Sequence, residues 1–234
     1  DLDNSGTLKK AAGVINGSEG GAWKKLKAAV AAAQDGDIIK ISGEVKATNG
    51  SSGENRGVIN ITKNITIERA DGASTAVLNA NGTAGSKPAH RIFKVASGKT
   101  LTLENLTLKG GKATGTGDAG SGGAIFARDA NDLKIINCTI TGNKADTNGG
   151  GIYVESTYTT ITNCIFTKNT AIDGGGIYIN NSTLKLQNNA KVIGNKASVR
   201  GGGIYVGGTD ANFTMESGEI SSNTVTITES AEIQ

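Results

Sequence analysis

The residue types that most often carry catalysis or bind metals are sparse in this chain. His90 is the single histidine of the 234 residues, so neither a histidine metal site nor a Ser–His–Asp triad can be assembled without it. Glycoside hydrolysis needs two carboxylates about 5–10 Å apart, yet we find no two acids at matching positions of successive repeats. Asp146 and Asp173 come closest, each before a glycine run, with Arg200 in the equivalent place one repeat later. They are the best candidates for an acidic or calcium-contacting cluster, but the simpler interpretation is that they are solvated turn residues. We predict no metal or cofactor site.

Any site on this chain has to be positioned by a repeat of about 26 residues. Its first motif is a glycine run followed by an isoleucine, at Ile125, Ile152, Ile177 and Ile204. Its second motif ends in an asparagine, at Asn143, Asn169, Asn195 and Asn223. The steps are 27, 25 and 27 residues in the first set and 26, 26 and 28 in the second. Two independent motifs with one period indicate a structural repeat.

The repeat unit is predicted to consist of short strands. Apolar residues alternate with polar ones in short runs, as at Leu101 and Leu103, and the runs are bounded by Gly, Asn, Asp and Thr. A coil of three short strands and three turns fits the period, and each open coil has to stack on its neighbours to bury its inward side chains. The sequence therefore predicts an all-β fold, a single-stranded parallel β-helix (β-solenoid) of about six to seven coils.

Stacking would align equivalent residues of successive coils about 4.8 Å apart. The asparagines of the second motif then form a column of amides that can hydrogen-bond along the solenoid axis. A second asparagine column contains an extra residue at Asn188 or Asn189, as a bulge would. Cys138 and Cys164 are one coil apart and should stack in the interior. Because the coil spacing exceeds the Cβ separation of about 3.8 Å that a disulfide prefers, we expect two buried thiols in contact, with a strained disulfide as the alternative.

An aromatic column accompanies the glycine runs. Alternation along each strand places the aromatic side chains opposite the aliphatic pair; they are Phe126, Tyr153, Tyr178 and Tyr205. If the aliphatic pair faces the interior, this column faces solvent. It is either cross-strand packing that stiffens the sheet or a platform on which sugar rings lie.

A capping helix is predicted over residues 22–34, where Trp23, Leu26 and Val30 share one face. Such a helix would cover the apolar residues and strand edges of the open first coil. We therefore divide the chain into an N-terminal extension, residues 1–21, and one β-helix domain, residues 22–234, that includes this helix. Excursions rich in Gly, Ser, Asn and Thr lengthen the early coils at 47–56, 79–91 and 113–121, and loops on a rigid scaffold are where binding usually occurs.

Composition excludes several classes of protein. Glycine makes up 35 residues but proline occurs once, which excludes collagen and proline-rich linkers. The longest purely apolar run, residues 28–33, is far shorter than the roughly 20 residues of a transmembrane helix. Lysines are scattered, so the net charge of +3 predicts a solvated surface and no nucleic-acid partner. No signal segment precedes Asp1, so we expect a processed secreted chain or a fragment.

The two motifs resemble the Gly-Gly-x-Ile and Phe-x-x-Asn repeats of polymorphic outer-membrane-protein passenger domains. Phe166-Thr-Lys-Asn169 matches the second motif letter for letter, whereas the other copies carry Ile or Val in place of Phe. The helix followed by Asp35-Gly-Asp-Ile-Ile-Lys-Ile41 is similar to the opening of bacterial β-helix proteins of the pectin-lyase-like class. The resemblance covers roughly residues 22–225.

This resemblance implies a right-handed β-helix, the hand that crossovers between parallel strands strongly favour. It implies a non-catalytic module at a bacterial surface or outside the cell, adhesin-like or structural. We expect a monomer that needs no cofactor and binds carbohydrate or a host surface protein. Because pectin-lyase-like folds include polysaccharide lyases and hydrolases, an enzyme with its site in the early loops is the alternative. The clustered acids with Arg, or His-Gly with paired Asp, of those enzymes cannot be placed on this sequence.

Overall fold

The computed structural model describes residues 11–48, 54–82 and 89–226 and is a parallel β-solenoid. The helix found in these residues, α1, spans Ala22–Ala32. The strands are β1 (Ala11–Asn16), β2 (Ile38–Lys46), β3 (Ile59–Ile61), β4 (Ile65–Arg69), β5 (Ala76–Asn79), β6 (Phe93–Val95), β7 (Thr100–Glu104), β8 (Thr107–Lys109), β9 (Lys112–Ala113), β10 (Ile125–Arg128), β11 (Asp132–Ile136), β12 (Thr139–Thr141), β13 (Lys144–Ala145), β14 (Ile152–Glu155), β15 (Tyr158–Thr162), β16 (Ile165–Thr167), β17 (Thr170–Asp173), β18 (Ile177–Asn180), β19 (Thr183–Gln187), β20 (Ala190–Ile193), β21 (Lys196–Arg200), β22 (Ile204–Gly207), β23 (Asn212–Met215), β24 (Gly218–Ser221) and β25 (Thr224–Val225).

In the described residues, four parallel sheets run along the stack of about seven coils, whereas three strands per coil were expected. Sheet 1 contains β1, the first half of β2, and then β4, β7, β11, β15, β19 and β23. Sheet 2 contains the second half of β2, and then β5, β8, β12, β16, β20 and β24. Sheet 3 contains β9, β13, β17, β21 and β25, and sheet 4 contains β3, β6, β10, β14, β18 and β22. The additional sheet is sheet 3, whose first strands are only two residues long.

The corners between sheets use residues that tolerate a left-handed backbone. Asn105, Asn137 and Asn163 turn the chain from sheet 1 to sheet 2 with φ of 58°, 53° and 50°, a conformation for which asparagine is enriched. In the next coil, Asn188 and Asn189 both have positive φ. The extra corner residue is confirmed, because β15 and β19 pair with an offset of 25 residues and β16 and β20 with an offset of 26.

Inward aliphatic columns form one continuous core. Leu101 pairs with Leu133, and Leu108 with Ile140, each fully buried in register with its neighbour. Burying one such side chain stabilises the fold by about 1.5–3 kcal/mol. In the last described coil, the equivalent residue Ile220 is 42% exposed, because no described strand of sheet 2 stacks on the outer edge of β24.

The N-terminal helix covers the first coil, as the sequence predicts. Trp23 is fully buried and its indole N–H donates to the carbonyl of Gly57 at 2.9 Å. Helix α1 ends at Ala32, two residues earlier than expected, because Ala33 is extended and the Gln34 N–H donates to the Asp37 carboxylate. Within the predicted N-terminal extension, β1 pairs with β2 in sheet 1 and covers the strand edge of the first coil.

Candidate functional site

The aromatic residues beside the glycine runs form a continuous stack on the outer face of sheet 4. Ring centroids are 5.1 Å apart from Phe126 to Tyr153, 5.1 Å from Tyr153 to Tyr178 and 4.9 Å from Tyr178 to Tyr205. The interplanar angles are 3°, 10° and 18°. Each ring therefore lies face to face with its neighbour, the arrangement expected of the cross-strand packing interpretation.

The column does not present its ring faces to solvent, which corrects the sequence-based expectation. Phe126 and Tyr153 are only 3% and 5% exposed. Arg91 lies over the Phe126 ring, 4.8 Å from its centroid, and donates to the backbone carbonyls of Asp118 and Ala119. The loop carrying those carbonyls thus folds over the start of the column.

The other end of the aromatic column is also occupied. The Arg200 guanidinium lies 4.7 Å from the Tyr205 centroid. Since a sugar ring packs on an open aromatic face and the faces of Tyr153 and Tyr178 are covered by their neighbours, only ring edges remain accessible. The four aromatic residues are therefore a poor sugar platform.

A charged cluster that the sequence analysis missed lies beside Tyr153. Arg128 and Glu155 occupy the same outward column of adjacent coils and form an ion pair, and Arg128 also binds the carboxylate of Asp118. The Tyr153 hydroxyl donates to Glu155 at 2.7 Å, and the Asn180 amide donates to Glu155 at 3.1 Å. Burial, together with the hydrogen bond to Glu155, raises the pKa of Tyr153 to about 12.

The chemistry of this cluster is that of an ion-pair network. Burial opposes ionisation of Glu155, but hydrogen bonds from Tyr153 and Arg128 outweigh it, and the pKa of Glu155 is lowered. A glycosidase acid needs a carboxyl whose pKa is raised so that it keeps a proton near neutral pH. Glu155 and Asp118 instead share one guanidinium, so the cluster does not provide the acid and base that glycoside hydrolysis requires.

Asp146 and Asp173 do not come together. Asp173 is 6% exposed and accepts two hydrogen bonds from Arg200, at 3.1 Å from Nε and 2.6 Å from Nη2. Its partner in the preceding coil is Asn148 rather than Asp146. The expectation of a solvated turn residue is wrong for Asp173, because β17 extends two residues further than β13 and carries Asp173 onto the sheet.

Asp146 remains partly exposed and accepts the Gly115 backbone N–H at 3.3 Å. Within the described ranges, no three His, Cys, Asp or Glu side chains converge in a way that could hold a metal ion. His90 is placed against the capping helix: its ring centroid is 5.4 Å from that of Trp23, and its Nδ1 hydrogen-bonds the Arg91 carbonyl. Burial lowers the pKa of His90, which favours the neutral ring in this packing role.

The asparagine column is confirmed as a buried hydrogen-bonded ladder. The Asn169 side-chain oxygen accepts from both the backbone N–H and the side-chain amide of Asn143, at 3.0 and 3.1 Å. Asn195 repeats this arrangement with Asn169, and Asn223 repeats it with Asn195. The side-chain amides also bind strand carbonyls, so these residues have a structural role in the corner between sheets 2 and 3.

The two cysteines are buried free thiols, as expected. The Cys138 backbone N–H donates to Cys164 Sγ at 3.3 Å. The Cys164 thiol therefore lies directly against the corner that carries Cys138. The neighbouring Cys164 and burial raise the pKa of Cys138 well above its usual value. Burial shields both thiols from reagents in solution.

A polar groove that could take a ligand lies at the corner between sheets 4 and 1. It has a volume of about 510 Å³, and its corner residues Gly98, Asp129, Ser156 and Asn181 all have positive φ. Asp210 closes one end. The groove spans five successive coils, which is about 19 Å for four steps of about 4.8 Å.

Tyr158 supplies the aromatic surface of this groove. It is 47% exposed and stacks on no other ring in the described part of the chain. The exposed amides of Asn131 and Asn181 flank it, and its register partners in the adjacent coils are Asp132 and Thr183. Sequence reasoning missed this tyrosine because it followed residues that repeat, whereas Tyr158 departs from the repeat; that departure is the signal that could have found it.

The geometry defines a class: a parallel β-solenoid whose described helix is too short and too polar to cross a membrane, with a polar groove on one corner. The right-handed β-helix region family matches residues 45–225, and the chain belongs to that family. An 81-residue stretch is 38% identical to the probable autotransporter YfaL of Escherichia coli strain K12; the match covers 31% of this chain and 6% of that protein. No solved structure matches the chain.

Proposed function

We propose that this chain is a non-catalytic, adhesin-like module of a surface-displayed or secreted protein, and that it binds neutral glycan in the Tyr158 groove. The local similarity to a probable autotransporter supports the surface or extracellular location. The observation that carries the binding proposal is one exposed, unstacked aromatic ring within a groove otherwise lined by amides, hydroxyls and carboxylates.

The groove offers the contacts that a neutral sugar chain uses. A tyrosine face packs against the apolar face of a pyranose ring, and the side chains of Asn131, Asn181 and Ser156 can donate to and accept from sugar hydroxyls. The length of about 19 Å accommodates several sugar units along the solenoid axis. Because the corner backbone is fixed by hydrogen bonds such as Ser156 N–H to the Asn180 carbonyl at 3.2 Å, little ordering is needed on binding.

The experiment that tests this proposal is binding of the purified chain to an array of neutral oligosaccharides, followed by titration of the best hits. Tyr158→Thr introduces the residue found one coil later, Thr183, and should abolish binding without lowering Tm. Tyr178→Phe is the control, because it retains a ring inside the stacked column, and it should bind like the unaltered chain. Unchanged binding by Tyr158→Thr would place the glycan elsewhere and overturn the proposal.

The enzymatic alternative is tested on the same material. The early loops that were its proposed location include residues 49–53 and 83–88, which lie outside the described residues. A panel of acidic and neutral polysaccharides, with and without calcium, is incubated with the chain and assayed for new reducing ends and unsaturated uronide absorbance. Formation of either product would refute the non-catalytic proposal.

A further inference from the structure

Four lysines line one edge of the solenoid, away from the Tyr158 groove. Lys112 and Lys144 are directly paired in sheet 3, and Lys196 occupies the same outward column two coils after Lys144, with Thr170 between them. Lys168 lies in the corner that leads into this column. We call Lys112, Lys144, Lys168 and Lys196 the lysine strip.

The lysine strip carries an excess of positive charge. Across residues 11–48, 54–82 and 89–226, none of the four lysines forms an ion pair, whereas lysines on other faces do, as in Lys185–Glu216 at 2.7 Å. Asp146 is the carboxylate that lines the same surface. Like charges directly opposite on adjacent strands destabilise a sheet, so the Lys112–Lys144 pairing is unfavourable for folding.

The surface along the strip is concave. A hollow of about 350 Å³ is lined by Lys112, Lys144 and Lys168, and a second of about 460 Å³ by Lys144 and Lys196. The two hollows share Lys144 and Thr170, so they form one continuous channel along the axis. Its lining includes small residues, Gly82, Gly142, Ala145, Ala171 and Ala197.

The backbone conformation of Lys168 indicates that the positive charge of the strip serves binding rather than folding. Its φ is 57°, and the residues in the same column of the preceding and following coils are Gly142 and Gly194, with φ of 62° and 63°. A left-handed conformation costs a residue with a Cβ about 1–2 kcal/mol. A lysine thus stands where glycine would serve the fold better, and its charge adds to the channel.

We propose that the lysine strip binds a linear anionic polysaccharide, such as a sulfated or uronate-bearing glycan, as a second site distinct from the Tyr158 groove. Lys144 and Lys196 are two coils apart, about 9.6 Å, which is comparable to the spacing of anionic groups on alternate sugars of an extended chain. The strip has no arginine and no aromatic ring on which bases could stack, features that nucleic-acid sites use. These observations favour a polysaccharide over a nucleic acid.

The test measures fluorescence anisotropy of a labelled heparin oligosaccharide with the full chain at several salt concentrations. Lys144→Gln/Lys196→Gln removes two exposed charges from the strip, and Lys63→Gln/Lys94→Gln removes two exposed charges elsewhere. We expect the strip variant to bind about tenfold more weakly with a shallower salt dependence, and the control to bind like the unaltered chain. Circular dichroism and Tm measurements check that both variants are folded.

If both double variants bind the heparin oligosaccharide equally more weakly, the attraction is due to net charge alone and the proposed site is wrong. Unchanged binding in both variants would also overturn the proposed site. A DNA duplex that binds the strip as tightly as the heparin oligosaccharide would replace polysaccharide by nucleic acid as its partner. Tyr158→Thr separates the two proposals: it should leave heparin binding unchanged, so that failure of the groove and failure of the strip give different results.

Discussion

Removing one rung of the asparagine ladder should destabilise the fold strongly, and Asn169→Ala is the sharpest version of this change. Asn169 is fully buried, and its Oδ1 accepts the Asn143 backbone N–H while its Nδ2 donates to the Ile140 carbonyl at 2.9 Å. Alanine leaves that N–H and that carbonyl without these partners. Each buried polar group left unpaired costs about 1–3 kcal/mol, so the two together predict a loss of about 2–6 kcal/mol.

The assay is urea unfolding followed by circular dichroism, together with amide hydrogen exchange. Repeat arrays can unfold coil by coil, so exchange at the Asn143 amide reports the local effect directly and should lose protection in Asn169→Ala. Asn131→Ala is the control: this exposed residue donates a side-chain hydrogen bond to Thr100 at 3.1 Å, and its loss should change stability by no more than about 0.5 kcal/mol. If the two variants unfold at the same urea concentration and Asn143 keeps its protection, the ladder does not stabilise the corner.

Three further predictions concern buried or paired groups. Asp173→Asn should lower stability by about 1 kcal/mol, since the pair with half-exposed Arg200 is partly screened by solvent, and chemical denaturation measures this. The lowered pKa of Glu155 means that its contribution to stability is present above the unfolded value of 4.5 and is lost as pH falls through the lower folded pKa, so Glu155→Gln should lose less stability between about pH 5 and 3; equal losses would contradict this. Cys138 and Cys164 should react with a thiol reagent only at the rate of unfolding, and rapid labelling of the folded chain would show that they are not buried.

The fold could be predicted because inward positions repeat. Ile140 and Asn169 recur at one spacing since each must meet an equivalent residue in the next coil, and this requirement leaves a period in the sequence. Outward residues do not have to meet an equivalent residue in the next coil. Whether Phe126 is covered depends on Arg91 and on the loop that carries the Asp118 and Ala119 carbonyls, and no periodicity encodes that contact. The burial of Asp173 likewise depends on a strand that is longer in one coil than in the preceding one.

Departures from the repeat are consequently where function is best sought, and Lys168 allows that argument to be tested. Lys168→Gly restores the residue found at Gly142 and Gly194 in the adjacent coils. It relieves a left-handed conformation that costs about 1–2 kcal/mol, and about 0.4–1 kcal/mol of that gain is offset because glycine is more flexible in the unfolded chain.

We therefore expect Lys168→Gly to be more stable by about 0.5–1 kcal/mol and to bind the heparin oligosaccharide more weakly. A stability–function trade-off of this kind is expected where a residue is retained for binding rather than for folding. Ser222→Gly is the control, because Ser222 occupies the same column as Lys168, has a φ of 55° and carries no charge. Lys191→Gly would not serve, since Lys191 lies within strand β20. If both variants gain stability but only Lys168→Gly loses affinity, the lysine is kept for its charge. If neither loses affinity, the departure at Lys168 has no role in binding.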